Sequence, residues 1–176
     1  GAEPDMDLTL DEEQVMLRDS ARRFLNAQYD FEHRKRRLAD PQVKRKMWRQ
    51  FADMGWLAMT GPEALGGSGA GAVEQTVLAQ ELGRVLAVEP YADSIVMAGS
   101  ILNALPVSAL RDDLIRGLGS AEVLVSVALH EPGARYDFAS GAVTAEADAA
   151  GCCLLSGAKV LVGSGGDADF ILVSAV

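Results

Sequence analysis

The sequence predicts an α+β chain: an all-helical first part over residues 1–120, then over 121–176 the first strands of a largely antiparallel β-barrel or sandwich domain. Three observations carry that expectation. Apolar residues recur at helical spacing up to Leu118, the spacing becomes strand-like after Gly119, and no helical stretch separates the later strands, so neighbours should pair without crossover helices.

Thr9-Leu10-Asp11-Glu12 has the spacing of a capping box and sets the expected start of the first helix, with Leu17, Ala21, Phe24 and Leu25 on one face and an end near Tyr29-Asp30. Asp40-Pro41 is a second start, because proline at the first helical position gives up an amide that has no partner there; Val43, Met47, Phe51 and Met54 form its stripe, and Gly55 closes it. Gly61-Pro62 and the glycine-rich 66–71 segment predict a long loop over 56–71. Leu78, Leu82 and Val85 mark a third helix, interrupted at Glu89-Pro90. Residues 91–105 read as a fourth, apolar on most sides, and Leu110, Leu114, Ile115 and Leu118 supply a fifth. Strands are expected at Val123–Ala128, Ala142–Glu146, Cys152–Ser156, Lys159–Val162 and Phe170–Val173, with Gly or Asp at the breaks. So few short strands make a poor closed sheet, and the open edge at Val173–Val176 predicts that the β domain is incomplete here and continues further.

Composition narrows the function. With 49% hydrophobic residues among 176 the chain can bury a core, and a net charge of −9 argues against a general affinity for nucleic acid. The basic run His33-Arg34-Lys35-Arg36-Arg37 is flanked by acids and reads as a solvated helix face, with a partner surface as the alternative. Neither a membrane-length apolar run nor a leader pattern is visible, so a cytoplasmic location is expected. Cys152 and Cys153 are adjacent, which suits neither zinc nor a disulfide framework, and they read as strand residues. The two histidines are far apart, Gly67-Ser68-Gly69-Ala70-Gly71 lacks the strand and the Gly-Lys-Ser/Thr of a phosphate loop, and there is no Gly-x-Ser-x-Gly elbow. Motif spacing alone names no catalytic or metal centre.

Order and local strings together say more. Gly61-Pro62-Glu63-Ala64-Leu65-Gly66-Gly67, then Leu129-His130-Glu131-Pro132-Gly133-Ala134, then Gly157-Ala158-Lys159 with Ala168-Asp169, make the chain resemble the acyl-CoA dehydrogenase family from about Asp7 to Val176. Within it, Tyr29–Arg36, Glu89-Pro90-Tyr91 and Arg135-Tyr136-Asp137 resemble the small subunits of pimeloyl-CoA dehydrogenases. The resemblance implies an FAD flavoenzyme that desaturates an acyl-CoA thioester, conceivably a dicarboxylyl-CoA, to a trans-2-enoyl-CoA. It also implies a homologous large subunit in a heterotetramer, a homo-oligomer being the alternative, and a catalytic glutamate in a C-terminal helical domain outside these residues.

The same resemblance assigns a flavin wall to Leu129, His130, Leu161, Val162 and Gly163, and substrate contacts to Arg135 and Tyr136. The family's loop places a threonine where His130 stands and a serine where Tyr136 stands; its Trp-Ile-Thr, which stacks on the flavin ring and bonds N5, is Leu161-Val162-Gly163 here. Losing a stacked ring and a hydrogen bond weakens flavin binding by about 1.5–2.5 kcal/mol, from about 0.5–1.5 for an aromatic pair and about 1 for a bond. Two roles therefore stand open: a subunit that holds FAD through the amides of Leu129 and His130, or a flavin-poor structural partner. Arg135 likewise has two readings, a ligand for a CoA phosphate or terminal carboxylate, or an ion pair with Asp137 or Glu131.

Overall fold

The computed structural model describes residues 9–135, 137–138, 141–149 and 152–176. Among the described residues six α-helices and a π-helix precede four short strands, the expected order of helices before strands, with the helix Phe31–Ala39 an addition to the helices the sequence predicts. α1 (Glu12–Gln28) is capped by Asp11 rather than Thr9: the Asp11 carboxylate accepts from the Gln14 amide (2.8 Å) and the Gln14 side chain accepts from the Asp11 amide (3.1 Å). The box sits two residues later than its spacing in sequence suggested, because aspartate and glutamine fill the two roles equally well. α2 (Phe31–Ala39) and α3 (Pro41–Asp53) are capped by Asp30 and Asp40. α4 (Ala72–Arg84) packs along α1, joined by Gln14 Nε2 to Glu74 (2.7 Å) and by the Arg22–Glu81 ion pair.

Phe24, Trp48, Phe51 and Trp56 meet edge to face and tilted, with centroids 5.0–6.4 Å apart, and make the aromatic centre of the core. The 56–71 segment is the expected loop, anchored by buried residues. Trp56, Leu57 and Met59 are buried, Glu63–Leu65 forms a 3₁₀ turn, and a side chain at Gly67 would collide with the Gly61 carbonyl, so glycine is required by close approach of the backbone.

The fourth expected helix divides into the π-helix over Tyr91–Ala98 and α5 (Gly99–Ala104). Tyr91, Ser94, Ile95, Ala98 and Leu102 are buried while Met97 is 40% exposed, so the segment buries one stripe rather than most of its surface. α6 (Ala109–Gly119) completes the helical part.

The basic run lies on α2 with Lys35 and Arg36 exposed, as expected of a solvated face, and Arg37 is the exception. Arg37 is only 3% exposed, its guanidinium lies 3.9 Å over the Tyr29 ring, and its Nε stands 3.7 Å from Glu89. The Tyr29 hydroxyl donates to Glu89 (2.7 Å) and accepts from the Val88 amide (2.7 Å). Burial holds the Glu89 carboxyl above the usual range despite these partners, and burial together with the Glu89 bond pushes Tyr29 up to about 12.

β1 (Val125–Ala128) is buried along its length and lies on the π-helix, where the Ser94 hydroxyl donates to the Val125 carbonyl (2.7 Å) and accepts from its amide (3.2 Å). β2 (Thr144–Ala147) and β3 (Cys153–Ser156) form an antiparallel hairpin, but β1 pairs in parallel with β4 (Phe170–Val173), Val125 opposite Phe170. The α+β class stands, yet the antiparallel expectation holds for only one pair. A crossover need not be a helix; here the hairpin and its flanking loops bring the chain back in the same direction. The expected strand Lys159–Val162 is irregular, since Leu161 has φ +54° and leaves the extended region. Both faces of the β2–β3 hairpin are exposed, with Leu154 and Leu155 open to solvent. Cys153 lies in β3 and Cys152 just precedes it; both are free thiols. No described helix is long and apolar enough to cross a membrane.

Candidate functional site

The loop after β1 and the segment before β4 meet. The Val160 amide donates to the His130 carbonyl (2.9 Å). Below that bond lies a buried clasp: the Lys159 ammonium donates to Glu131 (2.7 Å), to the Ser174 hydroxyl (3.0 Å) and to the Leu129 carbonyl (3.2 Å), with Lys159 and Glu131 side chains 8% and 3% exposed. The Glu131 carboxylate also accepts from the amides of Ala142 (2.8 Å) and Val143 (3.1 Å), so one side chain fixes both the loop and the approach to β2. These bonds compensate a buried carboxylate that would otherwise carry a large desolvation cost.

Above the clasp the assigned wall residues differ in placement. Leu129 packs partly against the core, and the half-buried His130 ring meets Phe138 edge-on at 4.9 Å. Leu161 is 82% exposed. Val162 and Gly163 are half-buried, and the Gly163 carbonyl accepts from the Ser126 hydroxyl of β1 (2.9 Å). Arg135 is exposed at φ +51°. Glu131 pairs with Lys159. Tyr136 lies outside the described residues.

Sequence reasoning missed Asp93. Its carboxylate, presented by the π-helix, accepts from the Ser164 hydroxyl (3.3 Å) and lies flat against Gly163. A Cβ placed on Gly163 would meet Asp93 Cγ, Oδ1 and Oδ2 at 2.5–2.6 Å. Gly163 does not occupy the left-handed region; it is glycine for space. A signal existed in the sequence: Asp93 is the one charged residue between Pro90 and Arg111.

A separate cleft of about 560 Å³ lies between α3 and the 167–169 turn, lined by Arg45, Trp48, Arg49, Asp53, Glu122 and Asp167 among others; none of the wall residues lines it.

The profile of the acyl-CoA dehydrogenase N-terminal domain matches residues 11–109, more than half of the sequence. The chain belongs to the acyl-CoA dehydrogenase family. It is 32% identical over 136 residues to the acyl-CoA dehydrogenase FadE27 of Mycobacterium tuberculosis, a match covering 77% of this chain and 35% of that one. Among solved structures, a variant of the Tcur3481–Tcur3483 steroid ACAD superposes with a TM-score of 0.83 at 32% identity, covering 96% of this chain and 46% of that one. The ChsE4–ChsE5 complex from Mycobacterium tuberculosis gives a TM-score of 0.79 at 31% identity, covering 97% and 45%. The chain thus spans less than half the length of these relatives.

Membership implies FAD, and the residues present do not fit its ring. The stacking position carries an exposed aliphatic side chain at Leu161, the hydroxyl position is Gly163, and the space a side chain would take there holds the Asp93 carboxylate. At the positions the resemblance assigns to the flavin ring, the chain presents neither a stacking ring nor a hydroxyl.

Proposed function

We propose that this chain belongs to one subunit of a heteromeric, FAD-dependent acyl-CoA dehydrogenase, and that this subunit does not itself grip the flavin ring. The assembly would convert an acyl-CoA to its trans-2-enoyl-CoA, with the flavin-holding groups and the catalytic base supplied outside these residues. The observation that carries the reading is the joined pair of segments 129–131 and 159–163, built and clasped as a wall yet bare of a stacking ring and a donor hydroxyl. The two-component names of the Tcur3481–Tcur3483 and ChsE4–ChsE5 proteins support an unlike partner.

What the chain keeps is suited to positioning a substrate. The amides of Leu129 and His130 stand at the wall, and the exposed Arg135 is available to a CoA phosphate or to the far carboxylate of a dicarboxylyl-CoA. The dicarboxylyl reading follows the likeness to pimeloyl-CoA dehydrogenase small subunits. A steroid acyl-CoA is the competing substrate, favoured by the likeness to the steroid ACAD.

Purification decides the role. The chain at its natural length should be colourless alone and show the visible absorbance of oxidised flavin only when purified with its partner. A yellow protein in the absence of any partner overturns the proposal. Turnover by the assembly on dicarboxylyl-CoA and on steroid acyl-CoA separates the two substrates.

A further inference from the structure

We infer that Asp93 determines which subunit carries the flavin: its carboxylate occupies the side-chain space of position 163 and bars the ring from this wall. The inference rests on the flavin-poor reading above and adds its cause. A wall that had merely lost its gripping groups would leave room where they stood. Here that room is taken by a charged group from another element, and three features hold it there.

First, the carboxylate is seated. Its Cγ and both oxygens lie within 2.6 Å of where a Gly163 Cβ would be, so residue 163 and Asp93 are alternative tenants of one volume. Ser164, at φ +56°, turns its hydroxyl to Asp93 Oδ2 at 3.3 Å. Second, the presenting segment is fixed. The neighbouring Ser94 is fully buried and bonds both the amide and the carbonyl of Val125, so the backbone that carries Asp93 is held against β1. Third, the receiving backbone is fixed as well, because Ser126 of the same strand donates to the Gly163 carbonyl at 2.9 Å. β1 therefore ties both sides of the contact through successive residues, the Val125 backbone to the Ser94 hydroxyl on one side and the Ser126 hydroxyl to Gly163 on the other.

The chemistry explains why a carboxylate excludes the ring. An aromatic cofactor lying on this wall would bury Asp93 without a cation to pair with, and a buried unpaired charge is strongly disfavoured. The same carboxylate presents only acceptors, so it cannot donate to a ring nitrogen as a hydroxyl does.

Two measurements on the full chain test this. The first is geometric and independent of flavin. Gly163→Ala should raise the unfolding equilibrium constant about tenfold, a loss of about 1.4 kcal/mol, in the presence of Asp93, and should have little effect when Asp93 is already alanine. Equal losses in both backgrounds overturn the shared volume. The second reads flavin retained by the purified chain without its partner, by absorbance and by quenching of flavin fluorescence. The pair Leu161→Trp with Gly163→Thr should gain no flavin, and adding Asp93→Ala should raise affinity at least about tenfold. Flavin binding that is equal with and without Asp93, or absent in the folded triple variant, overturns the inference while leaving the flavin-poor reading intact. A yellow wild-type chain overturns both.

Discussion

Replacing Lys159 by methionine tests the clasp that holds the two wall segments together. The substitution keeps most of the side-chain volume and deletes the ammonium, so three hydrogen bonds are lost, to Glu131, Ser174 and the Leu129 carbonyl. At about 1 kcal/mol for each net bond the loss is about 3 kcal/mol, and the buried Glu131 carboxylate loses the Lys159 charge. Breaking one side of a buried ion pair costs about 3–5 kcal/mol, and the two side chains here are 8% and 3% exposed. An exposed pair would contribute less than about 1 kcal/mol, so the two cases separate cleanly. Urea unfolding followed by circular dichroism gives the total. Amide exchange at Ala142, Val143 and Val160 places it, since these amides donate to Glu131 and to the His130 carbonyl. Glu131→Gln added to Lys159→Met should cost less than Glu131→Gln alone, because the Lys159 charge that Glu131 pairs with has already been removed. A loss below about 1 kcal/mol with unchanged exchange at Ala142 and Val143 would refute the clasp.

Other predictions follow from the same contacts. Ser94→Ala strips the Val125 amide and carbonyl of a buried partner and should cost about 1–3 kcal/mol, read as a fall in urea midpoint. Arg135→Ala removes an exposed side chain, so stability should hold within about 0.5 kcal/mol while KM for acyl-CoA rises in the assembled enzyme; an unchanged KM removes the substrate role. Because burial raises Glu89, the folded state holds its proton more tightly than the unfolded chain. Stability from this group is full below the ordinary carboxylate range and falls as pH rises through the raised value, and Glu89→Gln should flatten that slope in a pH series of unfolding curves. Glu81 has the opposite sign. Its hydrogen bond to Arg22 lowers it, so its contribution is present above the ordinary carboxylate range and is lost as pH falls, and Glu81→Gln should flatten the acid limb.

Some of this protein was legible in the sequence because the signals are local. Asp40-Pro41 starts a helix wherever it stands, since the cap satisfies its own first turn, and the stripe Met47, Phe51 marks the face that must be buried. The change of period after Gly119 likewise placed the switch from helices to strands, and the short strings around residues 61–67, 129–134 and 157–169 pointed to the family that the profile match then showed. His130 and Lys159 could be placed on facing segments through that likeness alone; nothing in their spacing required the contact.

The remainder was decided by neighbours distant in sequence. Arg37 sits in a basic run that any charge count assigns to solvent, yet Tyr29 and Glu89 take it inside. β1 and β4 pair in parallel because of where the hairpin returns the chain, which strand composition does not encode. Asp93 reads as a polar residue in an apolar helix until Gly163 is brought against it. The physical reason is common to all three: capping and periodicity are settled within a turn or two, whereas the burial of a charge or the occupancy of a volume depends on what the rest of the chain places there.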